Sequence, residues 1–303
     1  MPPLMAAPEP PVLVIAPGRS VVRRMHAVWQ YRELLVGLVR KELKVRYKDS
    51  TLGFLWSMLN PAMYLAVFYV VFQIILGSGI PFFAIYLLSG LLSWNLFSAS
   101  LTAATGSIVN NGALVNKVFF PREILPLATV GANLVHFFLQ AVVLLSALVV
   151  FQYGVALEYI WLVIPALLVV LLLVSGLAIL FAALNVYARD LQHLLELVLL
   201  GWFWMTPIVY PWQLPADKLA EHGLSSSLTL LNPMIPVVIS LQRAIYGTVS
   251  YVDGTGATVH LLPDGSPWWF LRNLALVGVA AAGIFVFAVH VFGRLEANFA
   301  EEL

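Results

Sequence analysis

The chain has 303 residues, of which 61% are hydrophobic and only 10% are charged, and its formal net charge is +1. Soluble domains carry roughly 25% charged residues, so this composition excludes an ordinary soluble protein and predicts one polytopic integral membrane domain. The absence of cysteine excludes disulfides, thiol chemistry and cysteine-ligated metal sites.

The N-terminal stretch is irregular and begins with many prolines. Residues 1–18 lack the basic n-region and the long apolar core of a signal peptide. We therefore interpret residues 1–30 as a mobile cytoplasmic tail.

A basic stretch follows at residues 31–50. An apolar row with i, i+4 spacing runs from Leu35 to Tyr47 and predicts an amphipathic helix that lies along a membrane surface. The basic residues of its second half are Arg40, Lys41, Lys44, Arg46 and Lys48. A solvated face on a soluble helix is the alternative, and the apolar run that comes next disfavours it.

Six stretches within residues 51–303 are long and apolar enough to cross a bilayer, which takes about 20 residues. Their approximate bounds are 52–76, 82–106, 124–151, 159–187, 191–210 and 268–292. The sequence thus predicts an all-α integral membrane fold with six transmembrane helices, an N-terminal amphipathic helix and a small extracytoplasmic segment between spans 5 and 6.

The distribution of Lys and Arg predicts the orientation of these spans. If both termini are cytoplasmic, all of the 16 Lys and Arg residues except Lys218, Arg243 and Arg272 lie on the inner side. Since inner loops carry the excess of positive charge, we predict a multi-pass protein of the plasma (inner) membrane with both termini inside.

The segment between the last two predicted spans contains a helical stretch and a hairpin signal. Residues 228–249 form either a re-entrant seventh segment or, as we favour, a helix from Met234 to Tyr246 at the outer surface, because its prolines and Arg243 suit lipid poorly. Asp253-Gly254 between β-branched residues predicts a small β-hairpin.

Two inner loops carry candidate contact residues. Phe119 and Phe120 lie between Lys117 and the pair Arg122 and Glu123, and exposed aromatic rings with a charged rim suit docking onto another protein. Insertion into the lipid interface is the alternative.

The second inner loop contains Arg189 and Asp190, followed by His193 and Glu196. A local ion pair between Arg189 and either acid, which would fix the turn, is the simpler interpretation of this loop.

Motifs for catalysis are missing from the sequence. We find no nucleotide-binding loop, no paired histidine motif and no acidic cluster in a span, so we predict no catalytic residue, no metal site and no cofactor in this chain. No acid is predicted near the bilayer midplane, which argues against an ion-coupled transporter. Asn133, His136 and Gln140 share a face of the third span, either as a pathway lining or as interhelical hydrogen bonds.

Aromatic residues are concentrated in the first two spans. Sugar rings stack on aromatic faces, so a carbohydrate pathway would use such rings and few charges. The candidate pathway residues are Trp56, Tyr64, Phe68, Phe72, Tyr86, Trp94 and Phe97. Packing or interface anchoring is the alternative role.

Several motifs resemble those of ABC-2-type polysaccharide exporter permeases, which export O-antigens, teichoic acids and actinobacterial galactan. The motifs are RELLxxLVRKELKVRYKDSxLGxLWSxLNP at 32–61, VNKVxFPREILPL at 115–127, NVYxRDLxH at 185–193, TPIVY at 206–210 and LNPM at 231–234. They occur in the family's order over nearly the whole chain.

The resemblance implies a homodimer of six-span subunits bound to two copies of a separate ABC ATPase, which carries ATP and Mg. It makes residues 31–50 an interface helix and residues 212–267 a gate over the exit. It also assigns ATPase coupling to two inner loops, with the residues Lys117, Phe119, Phe120, Arg122, Glu123, Arg189 and Asp190.

The function that the resemblance implies is export of a polyprenyl-pyrophosphate-linked polysaccharide during cell-envelope biogenesis, with lipopolysaccharide or galactan as examples. The lipid pyrophosphate would arrive at the basic helix, and no nucleic acid is involved. An ABC-2 exporter of small hydrophobic drugs or lipids is the alternative. A membrane-embedded transferase that uses Asp217, Glu221 or Asp253 is a second rival.

Overall fold

The computed structural model describes residues 20–47, 55–252 and 256–303. The first part of the described chain, up to Trp204, is helical. Its elements are α1 (Val21–Gln30), α2 (Arg32–Tyr47), α3 (Leu55–Phe68), a π-helical segment (Tyr69–Ile75), α4 (Phe83–Thr105), α5 (Ser107–Asn110), α6 (Gly112–Lys117), α7 (Ile124–Val150), α8 (Val163–Tyr187) and α9 (Leu191–Trp204). The remaining elements are α10 (Gln213–Glu221), α11 (Met234–Ile245), β1 (Ser250–Val252), β2 (Thr258–His260), α12 (Pro267–Leu295) and α13 (Phe299–Glu302). Single 3-10 turns cover Ile160–Leu162, Ser226–Leu231 and Glu296–Asn298.

The N-terminal region differs from the predicted tail. Residues 21–30 form α1, whose Arg24 and Val28 are buried against the rest of the protein, so a mobile tail is the wrong description of this stretch. The predicted amphipathic helix is found as α2. Residues 1–19 of the predicted tail and Lys48 of the basic helix lie outside the described residues.

Four helices of the described residues are long and apolar enough to cross a membrane by length and composition, namely α4, α7, α8 with the turn before it, and α12 with the turn after it. The first predicted span is helical over 55–75, and its first residues are not among those described. The fifth predicted span yields only α9, which ends at Trp204 shortly before Pro207. At 1.5 Å per residue this 14-residue helix is about 21 Å long, shorter than the roughly 30 Å hydrocarbon core.

The helix pair α8 and α12 has the most extensive packing of the fold, and α4 lies in the middle of α7, α8 and α11. Close contact between α8 and α12 depends on Gly176, because a Cβ atom there would lie 2.9 Å from the backbone Cα of Phe285. That distance is shorter than van der Waals contact, so only glycine fits without moving the helices apart.

We expect Gly176→Ala to destabilise the protein by about 1–3 kcal/mol, because the added methyl group overpacks the α8–α12 contact. A thermal unfolding curve of the purified protein in detergent measures this as a lower midpoint. Gly283→Ala on α12 is the matched control, since a Cβ there meets nothing within 4 Å. An unchanged midpoint for Gly176→Ala would contradict the close contact.

The helix predicted from Met234 to Tyr246 is present as α11, and it contacts the turn before α4, where Tyr246 Oη donates to Pro81 O at 2.8 Å. Nearly every residue of α11 is buried, and the helix packs against α4 and α8. Asn232, just before it, accepts a hydrogen bond from Trp202 Nε1 at 2.7 Å and donates to Thr206 Oγ1 at 3.0 Å. These bonds tie the start of α11 to the end of α9, which draws the segment into the bundle.

The predicted hairpin is confirmed. Strands β1 and β2 pair antiparallel, with Ser250 opposite His260 and Val252 opposite Thr258. The turn residues 253–255, including Asp253, lie outside the described residues.

Candidate functional site

A cavity of about 800 Å³ opens along one side of α4, between α3, α7 and α9. We call it the polar groove. Its uncharged polar lining includes Asn95, Thr102, Asn133, His136, Gln140 and Gln192. Its aromatic lining consists of Tyr64, Phe68, Trp94, Phe137, Phe203 and Trp204. Among the residues that the structure describes, only Arg46 and Glu196 contribute charged side chains to it.

Helix α4 supplies the floor of the groove. The residues Trp94, Asn95, Ala99 and Thr102 line it and recur at helical spacing along one face. The other faces of α4 are buried in the protein core. A helix enclosed in this way holds its groove-facing side chains on a rigid support.

Amide groups join helices within the groove. Asn95 Nδ2 of α4 donates to Gln140 Oε1 of α7 at 3.2 Å, and Asn133 Oδ1 accepts from Arg46 of α2 at 3.3 Å. The polar face predicted on the third span links helices, as one of the two interpretations expected, and it also lines the cavity, while its role in a pathway stays a prediction. Oxygen and nitrogen atoms of these amides remain available for further hydrogen bonds with a polar guest.

A chain of stacked and edge-to-face rings forms the aromatic wall. Phe68 of α3 lies 6.0 Å from Tyr64 and 5.9 Å from Phe203 of α9, and Trp94 lies 5.6 Å from Phe203 (all between ring centroids). Of the seven predicted pathway residues, Tyr64, Phe68 and Trp94 line the groove. The side chain of Trp56 is outside the described part of the chain.

The other three predicted pathway residues pack elsewhere. Phe72 lies against Phe83 at 6.1 Å, fully buried Tyr86 donates its hydroxyl to Tyr210 O, and buried Phe97 packs edge-to-face on Trp202 at 5.1 Å. They face the core rather than the groove.

Sequence reasoning missed Phe137 of α7 and the groove-lining rings of α9. The aromatic run Trp202-Phe203-Trp204 at the end of the fifth predicted span was an available signal for the latter.

The described part of the basic helix contributes one side chain to the groove. Arg46 lines it, whereas Arg40 and Lys44 are exposed away from it. Lys41 Nζ donates to Asn111 Oδ1 at 2.7 Å, which joins α2 to the loop after α5. The described members of the predicted entrance cluster are therefore spread over different faces of α2, and Arg46 is the one among them that lines the groove.

The inner-loop candidates divide into exposed and buried residues. Phe119 is 61% exposed, whereas Phe120 is only 6% exposed. Lys117 is exposed and Arg122 is half-buried, with its guanidinium 5.7 Å from the ring centroid of Phe299. In the second loop Arg189 and Asp190 are exposed, and the ion pairs of the described residues do not include Arg189.

Glu123 is buried in an ionic cluster at the same end of the bundle. The cluster consists of Arg24, Glu123 and Glu296, and Arg24 bonds both carboxylates. Burial opposes the charge of Arg24, but the two carboxylates outweigh it and raise the pKa of Arg24 above its ordinary value. Arg24 therefore remains charged inside the protein.

Of the acids proposed for a transferase, Asp253 lies outside the described residues. Asp217 and Glu221 are exposed on α10, and Glu221 pairs with Lys218 at 2.8 Å. No group of three or more His, Asp or Glu side chains is placed to hold a metal ion in the described part of the chain.

Comparison with known proteins gives consistent matches. The sequence matches the family described as ABC-2 type transporter over residues 33–219. It is similar to an O-antigen export system permease protein RfbA of Myxococcus xanthus, with 34% identity over 267 residues, which covers 88% of this chain and 96% of the relative. A protein of the same name from Klebsiella pneumoniae is 31% identical, over 72% of this chain and 83% of its own length. The polysialic acid transport protein KpsM of Escherichia coli is 26% identical, over 70% and 81% respectively.

Proposed function

Because the chain belongs to the ABC-2 type transporter family, we propose that it is the transmembrane permease subunit of an ATP-driven exporter of a polyprenyl-pyrophosphate-linked polysaccharide. The observation that carries this proposal is the polar groove. In the described part of the chain it combines aromatic rings with amide side chains and only two charged side chains. A glycan presents hydroxyl groups to amides and C–H faces to rings, so its chemistry matches both parts of the lining.

The same lining disfavours export of small hydrophobic drugs or lipids. A purely apolar guest would leave the amide atoms of Asn95 and Gln140 that their mutual hydrogen bond does not use without a polar partner, and such atoms cost free energy when they are buried unsatisfied. The names of the similar proteins, which refer to O-antigen export and polysialic acid transport, agree with a glycan substrate.

The assembly that we infer is a homodimer of six-span subunits with two copies of a cytoplasmic ABC ATPase. In this arrangement α3 with its π-helical segment counts as the first span and α9 as the fifth. We call the end of the bundle that carries α2 and the loop 106–123 the basic end. It lies on the cytoplasmic side of the plasma membrane, in keeping with its Lys and Arg residues. A second subunit would close the open side of the groove.

In our mechanism the ATPase binds the basic end and transmits ATP-driven movement through a coupling segment, residues 112–123. The lipid pyrophosphate approaches α2, and Arg46 attracts it toward the groove. The glycan then passes along the aromatic wall to the outer side. The chain itself supplies binding and a path, while the ATPase supplies the energy.

Phe119 provides the test of the coupling assignment. We expect Phe119→Ala to weaken co-purification with the ATPase and to lower surface glycan about tenfold, because an exposed ring in a protein interface contributes about 1.4 kcal/mol or more to binding. The measurement is a pull-down of the ATPase with the tagged permease, together with an assay of surface glycan.

The matched control is Phe138→Ala, because Phe138 is 53% exposed on α7 and lies outside the coupling segment. It should leave both readouts near the level of the unaltered protein. Deleting Phe119 and Phe120 together is the harsher variant. Unchanged complex formation and unchanged export after that deletion would remove the coupling assignment.

A further inference from the structure

The ionic cluster joins three distant parts of the chain at the basic end. Arg24 belongs to α1, Glu123 immediately precedes α7, and Glu296 follows α12. Arg24 Nη1 lies 2.9 Å from Glu296 Oε2 and also bonds Glu123 Oε1, and the three side chains are 8%, 11% and 2% exposed in the order Arg24, Glu296, Glu123. Charges buried this deeply persist only when their partners are in place, so the three segments hold one defined arrangement.

The surroundings leave the guanidinium little freedom. A Cβ atom at Gly293 of α12 would lie 2.8 Å from Arg24 Nη2, so α12 passes directly against the guanidinium. Arg122 adds a second link, because it donates to the backbone oxygen of Glu296 at 2.8 Å. The coupling segment is thus fastened to the end of α12 by Arg122 and to α1 by Glu123.

Helix α1 continues toward the groove with hardly an interruption. Tyr31 separates α1 from α2, yet its N–H bonds Ala27 O at 3.2 Å and its carbonyl accepts from Leu35 at 3.0 Å, as in a helix. Helix α2 then lies along α7 and places Arg46 in the groove. A displacement of Glu123 therefore has a route to the basic end of the groove. The route runs through Arg24 and the nearly continuous helices α1 and α2.

We propose that Arg24 is a positioning residue that transmits movement of the coupling segment to α1 and α2, and that it thereby sets the opening of the basic end of the groove. The inference rests on the proposed function, because it gives the ATP-driven movement of the coupling segment a route to α1 and α2. Arg24 neither lines the groove nor lies on the exposed part of the coupling segment. Its role is to keep α1 and the segment moving as one body.

The experiment uses the permease–ATPase complex from cells that make the glycan. We expect Arg24→Gln to keep ATPase co-purification and ATP hydrolysis within about twofold while surface glycan falls about tenfold, the order expected when a coupling network loses one member. Arg24→Lys should recover part of the export. Arg23→Gln, the same charge change at the exposed neighbouring position, should behave like the unaltered protein.

A distance measurement separates positioning from simple stabilisation. The chain has no cysteine, so spin labels on cysteines placed at exposed Val22 and Asn116 report α1 and the coupling segment without background. Their separation should be the same with and without ATP in the unaltered complex and should change with ATP in Arg24→Gln. Normal export by Arg24→Gln, or loss of the ATPase subunit in step with export, would overturn the inference.

A second variant covers the case in which Arg24→Gln does not accumulate. Gly293→Ala keeps every charge, but its methyl group displaces the guanidinium of Arg24. We therefore expect the same loss of glycan export with retained ATP hydrolysis. Normal export and unchanged label distances in Gly293→Ala would also overturn the proposal. If the unaltered complex exports no glycan, the proposed function fails, whereas the label distances still decide whether Arg24 joins α1 to the segment.

Discussion

Replacing Ala99 by tryptophan should abolish most glycan export while leaving the protein folded. Ala99 is an exposed residue of α4 that lines the polar groove. An indole ring there would project into a cavity of about 800 Å³ rather than into the packed core, so the helices can keep their positions. We expect surface glycan to fall about a hundredfold, equivalent to about 2.7 kcal/mol in a rate, because the ring obstructs the path.

Ala282→Trp on α12 is the matched control for this obstruction. Ala282 is also exposed in the middle of a long apolar helix, but it does not line the groove. The two variants add the same side chain, so a difference between them reports on position alone. Surface glycan and the amount of permease in the membrane are measured for both. Equal export by Ala99→Trp and Ala282→Trp would contradict the assignment of the groove as the glycan path.

The sequence predicted the parts of the fold that depend on local periodicity. Long apolar runs gave α4, α7, α8 and α12, and the Asp-Gly turn signal gave the hairpin of β1 and β2. These features are visible in sequence because each one needs only its own residues to set hydropathy or backbone conformation.

Tertiary contacts decided what the sequence could not show. The prolines and Arg243 of this segment disfavour a lipid surface but do not say what covers its apolar residues, and in the structure α11 is buried against α4 and α8, with Asn232 bonded to Trp202 and Thr206. Likewise the sequence does not distinguish Arg24 from the other basic residues near it. Only folding brings Arg24 between the carboxylates of Glu123 and Glu296, which lie 99 and 272 positions away along the chain.

The candidate site was predicted in part for the same reason. Helical spacing places Tyr64, Phe68 and Phe72 on one face of the first span, and the first two line the groove whereas Phe72 packs on Phe83. Spacing alone does not say which face of a mostly buried helix meets a cavity. The sequence therefore predicts both Trp94 and Phe97 as pathway residues, although only Trp94 lines the groove. The aromatic residues of α9 completed the wall from a different part of the chain.

Neutralising Arg46 should lower export more than neutralising any other cation of α2. Arg46 lies in the groove, where its guanidinium bonds Asn133 Oδ1 at 3.3 Å, and it can reach an anion that enters there. A hydrogen bond between charged groups contributes about 1.5–3 kcal/mol, so Arg46→Gln should cut surface glycan by about tenfold or more. Arg40→Gln should change it by less than about twofold, because Arg40 does not line the groove.

Membrane anchoring is the competing role of these cations, and it predicts a different pattern. If the positive charge of α2 serves mainly to fix orientation, Arg46→Gln and Arg40→Gln remove the same charge from the same helix and should impair insertion equally. A single cysteine introduced at exposed Asn116 reports the side of the membrane by its reaction with an impermeant reagent, since the chain has no other thiol. Normal labelling with export lost only in Arg46→Gln supports guidance of the pyrophosphate into the groove. Equal loss in both variants, or altered labelling, contradicts it, because an anchor depends on net charge whereas a binding group depends on its position.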